Sequence, residues 1–288
     1  MVVGAGGQLG QELQRTAPPE IKCAPMTRAQ LDIADAAAVA KSLASVAPQL
    51  VVNAAAYTAV DKAESEPAAA ACGNADAPGV LALACAERGI RLIHISTDFV
   101  FDGHASTPYT PEAATAPLGE YGRSKLAGEV AVQSAHQDAL ILRTGWVYSS
   151  YGNNFVKTML RLMGERDELA VVADQVGTPT WARGLAEAVW AAAARIQLNG
   201  IYHWSDAGVC SWYDFAVAIN EEALNLGLLS KPVNVRPISG AEYPTPAQRP
   251  AYSVLDKTNS WRDFALEGVH WRRQLRAMLV DLKEQANG

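Results

Sequence analysis

The 288-residue chain has no Cys-x-x-Cys pair. Its four cysteines, Cys23, Cys72, Cys85 and Cys210, are scattered, which argues against a zinc ribbon or a dithiol redox motif. They read as buried or inert thiols of a reducing, cytoplasmic compartment. The five histidines show no His-Glu-x-x-His spacing. Neither Gly-x-x-x-x-Gly-Lys-Ser/Thr nor Gly-x-Ser-x-Gly occurs, which argues against a P-loop triphosphatase and a serine hydrolase. No apolar run is longer than that around Ala188–Ala194, far short of the roughly 20 residues of a membrane span. No charged and apolar leader precedes the first glycines, so no signal peptide is expected. Positive charge is not in excess either. Lys+Arg number 24 against 30 Asp+Glu, a net charge of −6, and a phosphate-driven nucleic-acid binder would want the opposite sign.

What is present is globular. Hydrophobic residues make up 49% and charged residues 19%, and the length suits one large domain or two small ones. The first half alternates short apolar runs with alanine-rich stretches. Val2-Val3 ends at Gly4, Leu50-Val51-Val52 at Asn53, Arg91–Ile95 at Ser96-Thr97, and Leu140–Leu142 at Arg143-Thr144. Between them, Val80, Leu81, Ala84 and Cys85 have helical spacing that stops at Gly89. Strands separated by helices predict an α/β fold, a Rossmann-type doubly wound parallel sheet. Ligands then sit beyond the carboxyl ends of the strands.

The second half collects prolines at Pro232, Pro237, Pro244, Pro246 and Pro250 and aromatics at Trp204, Trp212, Tyr213, Trp261 and Trp271. No regular βα rhythm is visible there, so a smaller, irregular C-terminal lobe is expected. Residues 1–148, with part of 170–202, form the expected dinucleotide-binding domain, and 149–288 mainly the substrate lobe. A first strand of Met1-Val2-Val3 is short, and a few upstream residues are expected to be missing.

Two constellations carry chemistry. Gly4, Gly7 and Gly10 stand at the first strand-to-helix junction, with Gln8 and Leu9 opening the helix. Such a turn brings backbone close to a pyrophosphate, and the helix N-terminus offers free N–H groups. Tyr121 and Lys125 are four apart, so they share a helix face. A free phenol has a pKa near 10; a neighbouring ammonium is expected to lower it. Thr97, a hydroxyl at a strand end, precedes Tyr121 by 24 residues.

These strings resemble the extended short-chain dehydrogenase/reductases. Asn53–Glu64, Ser96–Phe101, Leu142–Tyr148, Gly152–Phe155, Asp174–Thr180 and Tyr243–Pro250 resemble, within that superfamily, the dTDP-4-dehydrorhamnose reductase family. The resemblance implies reduction of the C4 ketone of dTDP-4-dehydro-L-rhamnose by a nicotinamide cofactor, the last step of dTDP-L-rhamnose synthesis. It implies that Tyr121 donates the proton. Lys125 holds the nicotinamide ribose and lowers the Tyr121 pKa. Thr97 bonds the sugar carbonyl or the Tyr121 oxygen, Asp98 contacts the sugar or tunes the relay, and Trp146 packs on the deoxyhexose. Ala54, Ala55, Ala56 and Thr58 line the cofactor groove, and Asp32 and Ile33 flank the adenine. Arg28 is placed to meet a 2′-phosphate, and no acid clearly claims the 2′-hydroxyl. NADPH is therefore favoured, with NADH open. Arg249 is the candidate for the nucleotide phosphates, because a guanidinium matches phosphate geometry.

The resemblance also brings a magnesium ion near a subunit contact. Glu12 and Asp281 are candidates, but Arg183 stands where a further acid is expected. Hydride transfer with a Tyr acid needs no metal, so no metal site is assigned. A homodimer stays open. So do a non-catalytic regulatory subunit of this fold and a reductase or epimerase acting on another nucleotide sugar.

Overall fold

The computed structural model describes residues 1–287. Six parallel strands form the central sheet, in the order Pro25–Met26, Val2–Val3, Leu50–Asn53, Arg91–Thr97, Leu140–Thr144, Gly200–His203. The chain leaves Val2–Val3 toward one edge and then returns to lay Leu50–Asn53 on the other side. That reversal opens a crevice beyond the strand ends. The four strands expected in the first half are all present, and the first is two residues long.

Successive strand residues face opposite sides of a sheet, and the core divides accordingly. Val3, Val51, Leu92 and Ile141 bury one face under the helices Ala36–Val46 and Ala77–Ala86. Val2, Val52, Ile93, Leu140 and Leu142 bury the other under Gln8–Arg15 and Ala182–Ala193. A third cluster lies apart, around Tyr148, Phe215, Trp271 and Leu275. It joins the paired strands Glu168–Val172 and Asn234–Ile238 to the helices Phe155–Glu165, Trp212–Asn225 and Trp271–Asn287.

Two readings change. The second half does contain a βα unit: the helix Ala182–Ala193 leads into Gly200–His203, which completes the central sheet. A four-residue strand leaves too little pattern to see. Second, Pro67–Ala86 is a helical stretch long and apolar enough to cross a membrane by length and composition. Its apolar residues are interrupted by Gly73, Asn74 and Asp76, so no single run shows it. Ala70, Ala77, Leu81, Ala82 and Cys85 of this stretch are buried in the protein core.

Candidate active site

The glycine turn is built for close approach. Gly4 has φ +79°, and a Cβ there would fall 2.6 Å from the Ala55 nitrogen. A Cβ on Gly10 would fall 2.2 Å from the Gly4 carbonyl oxygen. The helix Gln8–Arg15 starts from Gly7 with no side chain capping it, so its first-turn amides stay available to an anion. The Gln8 side-chain Oε1 accepts from Asn154 Nδ2 at 2.9 Å. Leu9 is buried in the core, so only its backbone faces the turn. These features fit a dinucleotide pyrophosphate.

The neighbouring strand end adds Asn53, buried and 3.1 Å from His94 Nδ1. Its side-chain oxygen accepts the Ala55 N–H at 3.1 Å, which shapes the loop carrying Ala54 and Ala55, half-buried, and Ala56 and Thr58, exposed. Burial holds the His94 imidazole neutral, with the Lys125 charge adding to the effect. Arg28 is exposed just past the strand Pro25–Met26 and pairs with no acid among the described residues. Asp32 is exposed and accepts its own loop's Ala34 N–H. Ile33 packs into the core.

The catalytic candidates gather two strands away. Thr97 ends Arg91–Thr97; its Oγ1 donates to Asp98 Oδ1 at 3.1 Å and accepts the Phe99 N–H at 3.3 Å. Tyr121 and Lys125 share the helix Glu120–Ala135. The Tyr121 ring meets Phe99 edge-on at 5.6 Å. Lys125 is only 2% exposed, and its Nζ donates to the Ile95 carbonyl at 2.7 Å.

The expected depression of the Tyr121 pKa by Lys125 is not what this geometry gives. Burial pushes the phenol up to about 12, Thr97 hydrogen bonding works against the rise, and the Asp98 charge adds to it. The Tyr121 side chain is partly exposed overall, so the environment of its hydroxyl sets the direction. Lys125 itself is pushed down to about 8 by burial, with Glu129 opposing. Burial also raises Asp98 to about 6, against hydrogen bonds from Ser253 and Thr97.

Several supports have no short sequence signal. Glu64 Oε1 accepts the Glu120 N–H at 2.8 Å, capping a helix that has no cap of its own. Asn74 sits in a π-helical turn, Cys72–Asp76, inside the long apolar helix, the kind of bulge that often marks functional sites. Its side chain bonds both backbone groups of Tyr57 and, at 3.0 Å, Ser124 Oγ. Gly128 lets the catalytic helix approach that turn: a Cβ there would lie 1.9 Å from the Asn74 carbonyl oxygen. Glu129 and Arg143 form a buried two-bond pair beneath, and Ser96 Oγ donates to Glu129 at 2.5 Å.

Two substrate candidates are engaged within the chain. Trp146, at φ +51°, stacks on Trp212 with ring centres 3.5 Å apart and planes 3° from parallel. Gly177 lies against the same indole; a Cβ there would fall 2.6 Å from it. One indole face is thus taken by Trp212. Arg249 holds Asp61 through two bonds of 3.0 Å and Thr245 Oγ1 at 2.6 Å. Its fork is matched to a carboxylate here, the same geometry a phosphate would use.

The magnesium donors do not fit a metal. Glu12 and Asp281 already face Arg183, at 3.5 and 3.1 Å, and Arg15 lies 2.6 Å from Asp281. No group of three metal-ligating side chains occurs among the described residues.

A parallel sheet with a glycine turn at its switch point, and Thr, Tyr and Lys at a nearby strand end, defines an extended short-chain dehydrogenase/reductase architecture. The family model described as RmlD substrate binding domain matches residues 1–284. A dTDP-4-dehydrorhamnose reductase of Sinorhizobium fredii is 44% identical over 296 residues, covering 98% of each chain. A solved dTDP-4-dehydrorhamnose reductase of Clostridium acetobutylicum superposes with TM-score 0.92 at 39% identity, covering 98% of each chain. One from Bacillus anthracis, solved in complex with NADP, gives TM-score 0.91 at 38% identity, over 97% of this chain and 98% of that one. The chain belongs to the RmlD, or dTDP-4-dehydrorhamnose reductase, family.

Proposed function

We propose that this protein reduces the C4 ketone of dTDP-4-dehydro-L-rhamnose to dTDP-L-rhamnose. The observation that carries the reading is the Thr97, Tyr121 and Lys125 group at a strand end two strands from the glycine turn. NADPH is the proposed cofactor, with NADH as the other choice; bound there, it supplies a hydride to C4.

Tyr121 supplies the proton. A phenol held up to about 12 stays protonated at neutral pH. An alkoxide forming at the C4 oxygen is a stronger base than a phenolate, so the proton moves as charge develops. Thr97 orients that oxygen or the phenol. Lys125, as an ammonium, holds the nicotinamide ribose and steadies the phenolate left behind. Asp98 contacts the sugar or tunes the relay. Gly4, Gly7, Gln8 and the Leu9 backbone take the pyrophosphate, and Arg28 a 2′-phosphate. Asp32 and Ile33 border the adenine, with Ala54, Ala55, Ala56 and Thr58 along the groove. Trp146 packs on the deoxyhexose with the indole surface that Trp212 and Gly177 leave uncovered. Arg249 reaches the nucleotide phosphates by exchanging Asp61 for them. In this reading residues 1–148, with part of 170–202, hold the dinucleotide, and 149–288 mainly the sugar nucleotide.

The test is direct. Fresh dTDP-4-dehydro-L-rhamnose is supplied with NADPH or NADH, cofactor oxidation is followed, and the product sugar is identified. Formation of dTDP-L-rhamnose is the expected result; no oxidation with either cofactor overturns the proposal.

A further inference from the structure

Four parts of the chain meet at one polar cluster away from the proposed catalytic group. The helix Gln8–Arg15 brings Glu12 and Arg15, and the segment after Val147–Tyr148 brings Ser149 and Ser150. The start of Ala182–Ala193 brings Arg183, and the last helix brings Asp281 and Gln285. Glu12 is fully buried and Asp281 nearly so. Two buried carboxylates need compensating charge. Here the compensation is covalent to the chain. Arg183 Nη2 lies 3.1 Å from Asp281 Oδ1, and its Nε 3.5 Å from Glu12 Oε2. Arg15 Nη1 donates to Asp281 Oδ2 at 2.9 Å. Ser149 Oγ donates to Glu12 Oε1 at 2.9 Å, and Ser150 Oγ to Asp281 Oδ2 at 2.7 Å. The Arg183 guanidinium is itself held over the Trp181 ring, 4.4 Å from its centre. Two cations face two carboxylates, and the hydroxyls take the remaining lone pairs.

We propose that Arg183 is a built-in replacement for a divalent cation: it bridges Glu12 and Asp281, and the protein takes no magnesium there. The neighbouring groups agree. Burial works to raise the Asp281 carboxyl, yet Arg15, Ser150 and Arg183 together hold it below its usual range, so it stays an anion. Glu187, one turn beyond Arg183, feels the charges of both Glu12 and Arg183, yet no group of three metal-ligating side chains forms among the described residues. A magnesium ion demands near-octahedral oxygen ligands at about 2.0–2.1 Å, and a guanidinium occupies that space. The bridge also has a mechanical role. It ties the helix that follows the glycine turn to the last helix of the chain, without an ion that could dissociate.

The test uses the ligand-free protein, so it is independent of the reductase proposal. Wild type, Arg183→Glu and Arg183→Gln are melted in EDTA and in magnesium chloride at matched ionic strength. Wild type is expected to shift by less than about 1 °C, because nothing binds to the folded state alone. Arg183→Glu, with three carboxylates, is expected to be destabilised in EDTA and to recover on the order of 5 °C when magnesium exceeds its Kd about 100-fold. Arg183→Gln is expected to be destabilised in both and to recover in neither. A saturable magnesium stabilisation of wild type overturns the proposal. So does an equal magnesium response from both variants. Should Arg183→Glu fail to fold, the wild-type titration and Arg183→Gln decide alone: a magnesium response in either overturns it, and none in both upholds it.

Discussion

The Glu64 carboxylate and the Glu120 backbone N–H, 56 residues apart, meet at 2.8 Å. Tyr121 is the next residue. The bond therefore sets where the proposed acid begins its helix, and its negative charge also suits the positive end of the helix dipole. Glu64→Ala is expected to cost about 1 kcal/mol, as other lost caps do, and to lower Tm by about 2–4 °C. Turnover should fall further than that, on the order of 10- to 100-fold, because small displacements of a reacting group are costly. Glu64→Gln keeps an acceptor and should restore most of kcat. Equal kcat in wild type and Glu64→Ala would show that the cap does not position Tyr121.

Tyr121→Phe removes the phenolic proton and keeps the ring against Phe99. Turnover is expected to drop by about 10²–10⁴, the usual contribution of a general acid. Cofactor affinity, measured by fluorescence titration, should barely change. Retention of more than about half the activity would remove Tyr121 from the chemistry.

The pH profile should carry the mark of Lys125. Its ammonium, pushed down to about 8 by burial, loses its proton as the pH rises through that value, and kcat/KM should decline with it. Lys125→Arg keeps the charge, because a guanidinium stays protonated. Whatever its absolute rate, its profile should stay flat above pH 8. An alkaline limb at the same position in both proteins would assign the titration elsewhere.

Asp98 makes a stability prediction of definite sign. Its folded-state pKa of about 6 lies above the ordinary value of 3.8, so the fold favours the protonated acid. That stabilisation is complete below about 3.8 and is lost as the pH rises through about 6. The loss is roughly 3 kcal/mol, from a rise of about two pKa units at about 1.36 kcal/mol each. Asp98→Asn does not titrate. Denaturant melts should therefore show wild type losing ground to the variant between pH 4 and 6.5. Parallel curves would contradict the raised pKa.

Arg28→Ala bears on cofactor choice. Loss of one charge-assisted hydrogen bond to a 2′-phosphate is worth roughly 1.5–3 kcal/mol. The ratio of NADPH to NADH affinity should then fall about 10- to 150-fold. Raised salt should narrow the wild-type ratio, because Arg28 is exposed and exposed pairs are screened. Equal losses for both cofactors would make Arg28 structural.

What could be read from sequence was local. Leu50–Asn53, Arg91–Thr97 and Leu140–Thr144 show as apolar runs, and the glycine turn and Tyr121–Lys125 as fixed spacings. Pro25–Met26 was hidden because it is two residues long and holds a proline, which a sheet tolerates at its edge. The supports of the site were hidden for another reason. Asp61 finds Arg249 across 188 residues, Asn74 finds Ser124 across 50, and Arg183 finds Asp281 across 98. No spacing rule spans such intervals; only the folded sheet brings them together. Trp146 was legible as an aromatic for a sugar, but its partner Trp212 belongs to a separate helix 66 residues on. The Tyr121 pKa moves opposite to expectation because burial, which a motif does not display, raises it, and the neighbouring Asp98 charge raises it further.

The Trp146–Trp212 stack has an optical consequence. Two indoles 3.5 Å apart and 3° from parallel absorb as a coupled pair, so their transitions mix and their near-ultraviolet spectrum differs from that of two separate rings. The ligand-free protein thus contains its own reporter at a residue proposed to meet the sugar. Any molecule that parts the two rings decouples them, and the near-ultraviolet absorption and fluorescence record the event without a label.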